Sequence, residues 1–221
     1  MTDGGIKDNS LTPLPSSPQA LERYLNTYDP VFARDQLQQL KNSAPQVLGL
    51  LVNQYPKETN FPRQESMVFA IGAMGRAIRN DPNRSVESVE LVRTAVNLLM
   101  DTYRESTTSA HLITVEPILL GLYNKEDEAI VNSFRDLSRD IYLEMLAREK
   151  GQKPLGLYKL HTNPIDNRLF EGILNKLQAD NLNDHTILHG LAERNPDDET
   201  HIWRRIVYSA KRWTAENPKI P

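Results

Sequence analysis

Residues 85–105 read SVESVELVRTAVNLLMDTYRE. Val89, Val92, Val96, Leu99 and Tyr103 recur at spacings of three and four, the repeat of one helical face. Leu91, Ala95 and Leu98 add apolar character on a second side. A helix apolar on two sides belongs near the centre of a fold.

The same period continues around it. Residues 126–150 open with acid, close with base and are followed by Gly151, which suits a helix and its dipole. Ile130, Phe134, Leu137, Ile141 and Met145 make its inward stripe. Arg135, Asp136, Arg139, Asp140 and Glu144 are expected to face outward as a solvated charged surface. In residues 62–80, Gly72 and Gly75 cost helix propensity, which the close approach of a neighbouring helix explains. Their spacing fits neither a Walker A loop nor a dinucleotide fingerprint. Pro117 interrupts the apolar run LITVEPILLGLY and predicts a kink or short break there.

Prolines punctuate the chain. Ser17-Pro18, Asp29-Pro30, Ala44-Pro45, Phe61-Pro62, Asn163-Pro164 and Asn195-Pro196 read as helix starts, because proline needs no N–H partner in the first turn. At Asp81-Pro82 a turn is expected, with Ser85 capping the next helix. Strand signals are almost absent: no Asn-Gly or Asp-Gly hairpin turn occurs. The fold class that follows is all-α.

Four stretches are expected. Residues 1–17 form a flexible N-terminal segment, 18–150 a helical scaffold and 151–163 a linker. Residues 164–217 form a three-helix C-terminal module, with helices over 164–179, 183–194 and 197–216. So small a module sits near the lower limit for independent folding and is expected to dock on the scaffold. Within the scaffold a helix, a polar turn and a longer helix recur at an offset of about 40–45 residues, the period of HEAT and armadillo units. An antiparallel bundle accounts for the pattern as well as stacked helix pairs do.

Composition narrows the function classes. The 221 residues carry 26 basic and 29 acidic side chains, for a net charge of -3, so there is no general basic excess for gripping phosphates. There is no cysteine, which rules out disulfides, thiolate nucleophiles and cysteine-held metals. No signal peptide and no apolar run of membrane-spanning length are seen, so the expected location is cytoplasmic, or exported without a cleavable N-terminal signal peptide.

Two constellations carry possible chemistry. His185, His189 and Glu193 are spaced by four along one predicted helix, and two imidazoles so spaced can share a divalent metal. The glutamate that a metalloprotease places beside its first histidine is replaced by Thr186. His201 would have to fold back from the next helix to join them. The second constellation is the last helix, where Arg204, Arg205, Tyr208, Lys211 and Arg212 form a basic face with an aromatic insert. Arg and Tyr are frequent binding hot spots. The module's own acids outnumber its bases, which disfavours nucleic acid as the ligand.

The expected function is therefore a non-enzymatic, cofactor-free helical protein that binds another protein, as an adaptor, regulator or secreted effector. The alternatives are a metal-dependent protein or enzyme using the His185/His189/His201 region, and a nucleic-acid-binding helical module.

Overall fold

The computed structural model describes residues 17–27, 30–105, 109–150, 168–199 and 201–217. Among them the helices are α1 (Ser17–Leu25), α2 (Pro30–Leu40), α3 (Ala44–Gln54), α4 (Phe61–Asn80), α5 (Val86–Glu105), α6 (Ser109–Leu122), α7 (Glu128–Glu149), α8 (Arg168–Ala179), α9 (His185–Ala192) and α10 (His201–Glu216). The described residues contain no strand, so the class is all-α.

Short polar side chains set where the helices begin. Asn60 accepts the Arg63 N–H at the start of α4. Ser85 Oγ accepts the Ser88 N–H at 3.2 Å, opening α5. Asp127 accepts from Ala129 and Ile130 ahead of α7, and Asp184 from Thr186 and Ile187 ahead of α9. Each cap satisfies donors that have no intrahelical acceptor.

One buried apolar cluster runs from Leu21 on α1 to Ala210 on α10. In α5, Val92, Val96, Leu99 and Tyr103 are buried, as is Ala95 on the second side. In α7 all five residues of the expected stripe are buried.

Alternate helices touch and run parallel. Gly72 and Gly75 of α4 face Ile118 and Leu122 of α6. Arg93 and Arg104 of α5 pair with Asp127 and Asp140 on and beside α7. Leu120 of α6 lies over Gly172 of α8, and Lys176 of α8 stands over the Tyr123 ring just past α6. Tyr142 of α7 lies against Gly190 of α9, and Arg139 of α7 pairs with the α9 cap Asp184. Glu171 and Gln178 of α8 meet Arg205 and Ser209 of α10. In every pair the residue numbers rise together. Consecutive helices also pack, α3 on α4, α4 on α5, α5 on α6 and α9 on α10. The chain thus alternates between an even set (α4, α6, α8, α10) and an odd set (α3, α5, α7, α9).

The glycine expectation holds in detail. A methyl group at Gly72 would lie 2.6 Å from Ile118 Cγ2, and one at Gly75 would lie 2.6 Å from Leu122 Cδ2. Only a residue without a Cβ lets α6 come this close.

Several expectations need correcting. The helix α6 runs unbroken through Pro117. Pro117 and Ile113 lie on the exposed side of α6, so the Ile113 carbonyl deprived of its N–H partner faces water rather than the core. Asn195-Pro196 opens a single 3-10 turn, Pro196–Asp198, and the last helix begins only at His201. The helix expected over 183–194 runs from His185 to Ala192, with Asp184 as its cap and Asn183 buried ahead of it. Glu144, placed on the solvated face, is fully buried. The linker 151–163, the Asn163-Pro164 start and residues 1–16 lie outside the described residues; Ser17 opens α1. No helix among the described residues is long and apolar enough to cross a membrane.

Candidate functional site

The basic face of α10 is carried by a helix that packs on both α8 and α9. Ile206, Val207 and Ala210 are buried, and Trp203 packs on Phe170 of α8 with ring centroids 5.5 Å apart. That fixes the rotation of α10 and decides where each of the five candidate residues points.

Three of the five are engaged within the fold. Arg204 Nε donates to the Pro196 carbonyl at 3.0 Å, bracing the 3-10 turn. Arg205 forms a forked pair with the Glu171 carboxylate, Nε to Oε1 at 2.9 Å and Nη2 to Oε2 at 2.6 Å. Glu171 is mostly buried, so this pair ties α10 to α8 through the Nε/Nη2 edge of the guanidinium. Lys211 Nζ donates to the Ala192 carbonyl at 2.7 Å, at the C-terminus of α9. A cation there suits the helix dipole.

Tyr208 and Arg212 remain. They are one turn apart on α10. Tyr208 is 51% exposed. Arg212 is exposed and has no ion-pair partner among the described residues.

The histidine constellation sits on the opposite flank of α10. His185 and His189 both lean on the Trp213 indole, edge-on, with centroids 4.9 and 6.1 Å away. Two imidazoles therefore share one side of α9, against the same indole. Glu193 is the C-terminal cap of α9, its N–H bonded to the His189 carbonyl, and its charge acts on Tyr142 of α7. No group of three His, Asp or Glu side chains able to hold an ion occurs among the described residues. The side chain of His201 lies outside them.

Sequence reasoning missed a band of charge that joins α7 to the C-terminal helices. Arg194 donates to both oxygens of Glu149, at 2.6 and 2.8 Å, and also pairs with Glu199. The Glu149 carboxylate, and then Glu199, raise the Arg194 guanidinium above its usual range, against the opposing effect of burial. Arg135 Nε donates to the Leu182 carbonyl at 2.7 Å. At Asp184, burial works against the charged form. The Arg139 guanidinium, 3.1 Å away, and the Ile187 and Thr186 N–H groups outweigh it and hold the carboxyl below the ordinary range. Burial pushes the Tyr142 hydroxyl up. Apart from Arg194 and Glu199, the paired residues are 45 to 47 apart in sequence, farther than any helical period reaches.

A surface hollow of 270 Å³ between the start of α3 and the α4–α5 turn is lined by Lys41, Asp81, Arg84, Ser85 and Ser88, among others. Most of the polar groups named are already engaged within the fold. Arg84 donates to the Arg79 and Asp81 carbonyls, Lys41 to Gln38, and Ser85 caps α5.

No family model matches the chain, and no curated protein or solved structure matches it either.

Proposed function

We propose that the protein is a stack of helix pairs that binds another protein through the outer face of its even helices. The observation that carries this reading is the state of Tyr208 and Arg212. Both residue types are favoured at binding hot spots. Both are held on a helix whose backbone is packed on α8 and α9, so binding has only the side chains to order. The parallel contacts of α4 with α6, α6 with α8 and α8 with α10 support the stacked arrangement, since each added pair buries a face that the previous pair leaves open. Of the six large apolar side chains that stand exposed among the described residues, four also belong to this set: Phe61 and Phe69 on α4, Ile113 on α6 and Tyr208 on α10.

The test is affinity capture with three forms of the full chain. Tyr208→Ala/Arg212→Glu is expected to lose at least tenfold of every partner recovered by the wild type. Arg204→Ala, whose side chain serves the 3-10 turn, is expected to recover them normally. If the double variant recovers its partners undiminished, the α10 surface is not the one used.

A further inference from the structure

Charge is sorted between the two sets of helices. The even set (α4, α6, α8, α10) carries nine lysines and arginines against four acids, and the odd set (α3, α5, α7, α9) five against nine. The net charge of the chain conceals this division. On the odd set arginines are matched by acids: Arg93 by Asp127, Arg104 by Asp140 and Arg139 by Asp184. The imbalance is steepest on α8 and α10, where six bases meet only Glu171 and Glu216. The other acids of this stretch lie in the connections around α9, from Asp180 to Glu199.

The Glu171–Arg205 pair marks where α8 and α10 run side by side. Both oxygens of Glu171 are taken by the Nε/Nη2 edge of Arg205, so this carboxylate neutralises one arginine and no more. The Nη1 of Arg205 is left over, on a side chain that is 58% exposed. Arg168 precedes Glu171 by three residues and Arg212 follows Arg205 by seven, so each stands on the flank of its helix that carries the pair. Both are exposed, and neither has a hydrogen-bond acceptor or a carboxylate partner among the described residues. Tyr208 stands half exposed between Arg205 and Arg212. Glu216, also exposed, comes one turn past Arg212 and ends the strip. In parallel helices rising about 1.5 Å per residue, Arg168 and Arg212 are about 15 Å apart along the seam, with Arg205 and Tyr208 between them.

We infer that the α8–α10 seam receives an acidic segment of a partner protein, whose carboxylates pair with Arg168, Arg212 and the open Nη1 of Arg205. A carboxylate matches a guanidinium fork at two points. Arg205, already held by Glu171, has little freedom left to lose on binding. The strip is too small for a larger polyanion. A duplex is gripped through about 6–10 phosphate contacts, and an anionic bilayer is recognised by clusters of about 4–8 basic residues. The inference rests on the protein-binding reading above and adds to it the chemistry of the partner.

Fluorescein-labelled 12-residue peptides are the probe. The parent alternates Glu with Gly and Ser, and its sister carries Gln in place of every Glu. Extended at about 3.3 Å per residue, either outspans the strip. Anisotropy titrations use the full chain. At about 50 mM salt the parent is expected to bind at least tenfold more tightly than the sister, and the preference to shrink at about 500 mM as the charges are screened. Arg168→Glu/Arg212→Glu is expected to weaken the parent tenfold or more. Arg34→Glu/Lys57→Glu makes the same change of net charge at two exposed residues ahead of α4 and is expected to bind the parent normally. Circular dichroism melts confirm that each variant is folded, and Arg168→Gln/Arg212→Gln supplies a milder second variant. Equal affinity for the parent and the sister, equal losses in the two charge reversals, or no parent binding up to about 1 mM overturns the inference. So does a DNA duplex or a phosphatidylserine vesicle that binds through Arg168 and Arg212 more tightly than the parent. If Tyr208→Ala/Arg212→Glu loses the natural partners while the parent peptide fails these tests, the protein-binding reading stands and the acidic segment falls. If that variant keeps its partners, both fall.

Discussion

Two seams join alternate helices, and they are made of different things. Between α4 and α6 the contact is close and apolar: Gly72 and Gly75 admit Ile118 and Leu122. Between α7 and α9 it is largely polar: Arg139 reaches Asp184, Arg135 reaches the Leu182 carbonyl, and only Gly190 against Tyr142 repeats the glycine device. An apolar seam depends on shape and tolerates changes of salt and pH. A polar seam depends on protonation and is partly exchangeable with water.

The largest expected effect breaks the first seam. Gly72→Val/Gly75→Val drives two branched side chains into space that Ile118 and Leu122 already fill. Overpacking of this kind costs about 1–3 kcal/mol for each site, so chemical denaturation is expected to lose about twice that, and salt is expected to leave the loss unchanged.

Gly190→Ala is expected to cost less, about 1–2 kcal/mol, because the alanine's helix propensity returns part of the clash. A methyl group there would run into the Tyr142 hydroxyl oxygen but lie 3.1 Å from the ring carbon that carries it. Adding Tyr142→Phe should therefore restore most of the lost stability. No recovery in the double variant would show that the ring, not the hydroxyl, sets the distance.

The smallest effect sharpens the contrast through pH. The folded Asp184 carboxyl is held below its ordinary range, so its contribution is present in full above the unfolded value of about 3.9 and is lost as pH falls through the folded value. Asp184→Ala removes that contribution together with a helix cap worth about 1 kcal/mol. Wild type and variant should differ in denaturation midpoint at pH 7 and converge below pH 4, whereas Gly72→Val/Gly75→Val should stay apart from wild type at both. A gap for Asp184→Ala that persists undiminished in acid would remove the carboxylate from the account.

The two seams also differ in how far the sequence disclosed them. Gly72 and Gly75 stand inside a strong helical pattern where glycine is costly, so their presence announced a close neighbour. The apolar stripes of α5 and α7 were legible for the same reason, since burial repeats with the helix. Glu144 broke the rule because period alone placed it with its charged neighbours, while the surrounding helices bury it completely. Arg139 and Asp184 carry no mutual signal in the sequence, as nothing local relates residues 45 positions apart. On α10 the sequence identified the basic residues but not their employment. Arg204, Arg205 and Lys211 spend their donors inside the fold, and only packing could separate them from Tyr208 and Arg212. Pro117 was misleading in the opposite sense: it breaks a buried helix, but on a wet face the orphaned carbonyl finds water.

The parallel arrangement of alternate helices has a consequence for how the chain reaches this structure. Arg79 bonds 42 residues ahead to Gly121, Arg104 36 ahead to Asp140, Arg194 45 back to Glu149, and Arg205 34 back to Glu171. Each link closes a loop of similar, modest length, and none of these waits for the far end of the molecule. Loop-closure entropy is then met in small equal instalments, and a search that proceeds in neighbouring steps can begin anywhere and spread. During synthesis each new pair of helices would find its dock already built by the pair before it.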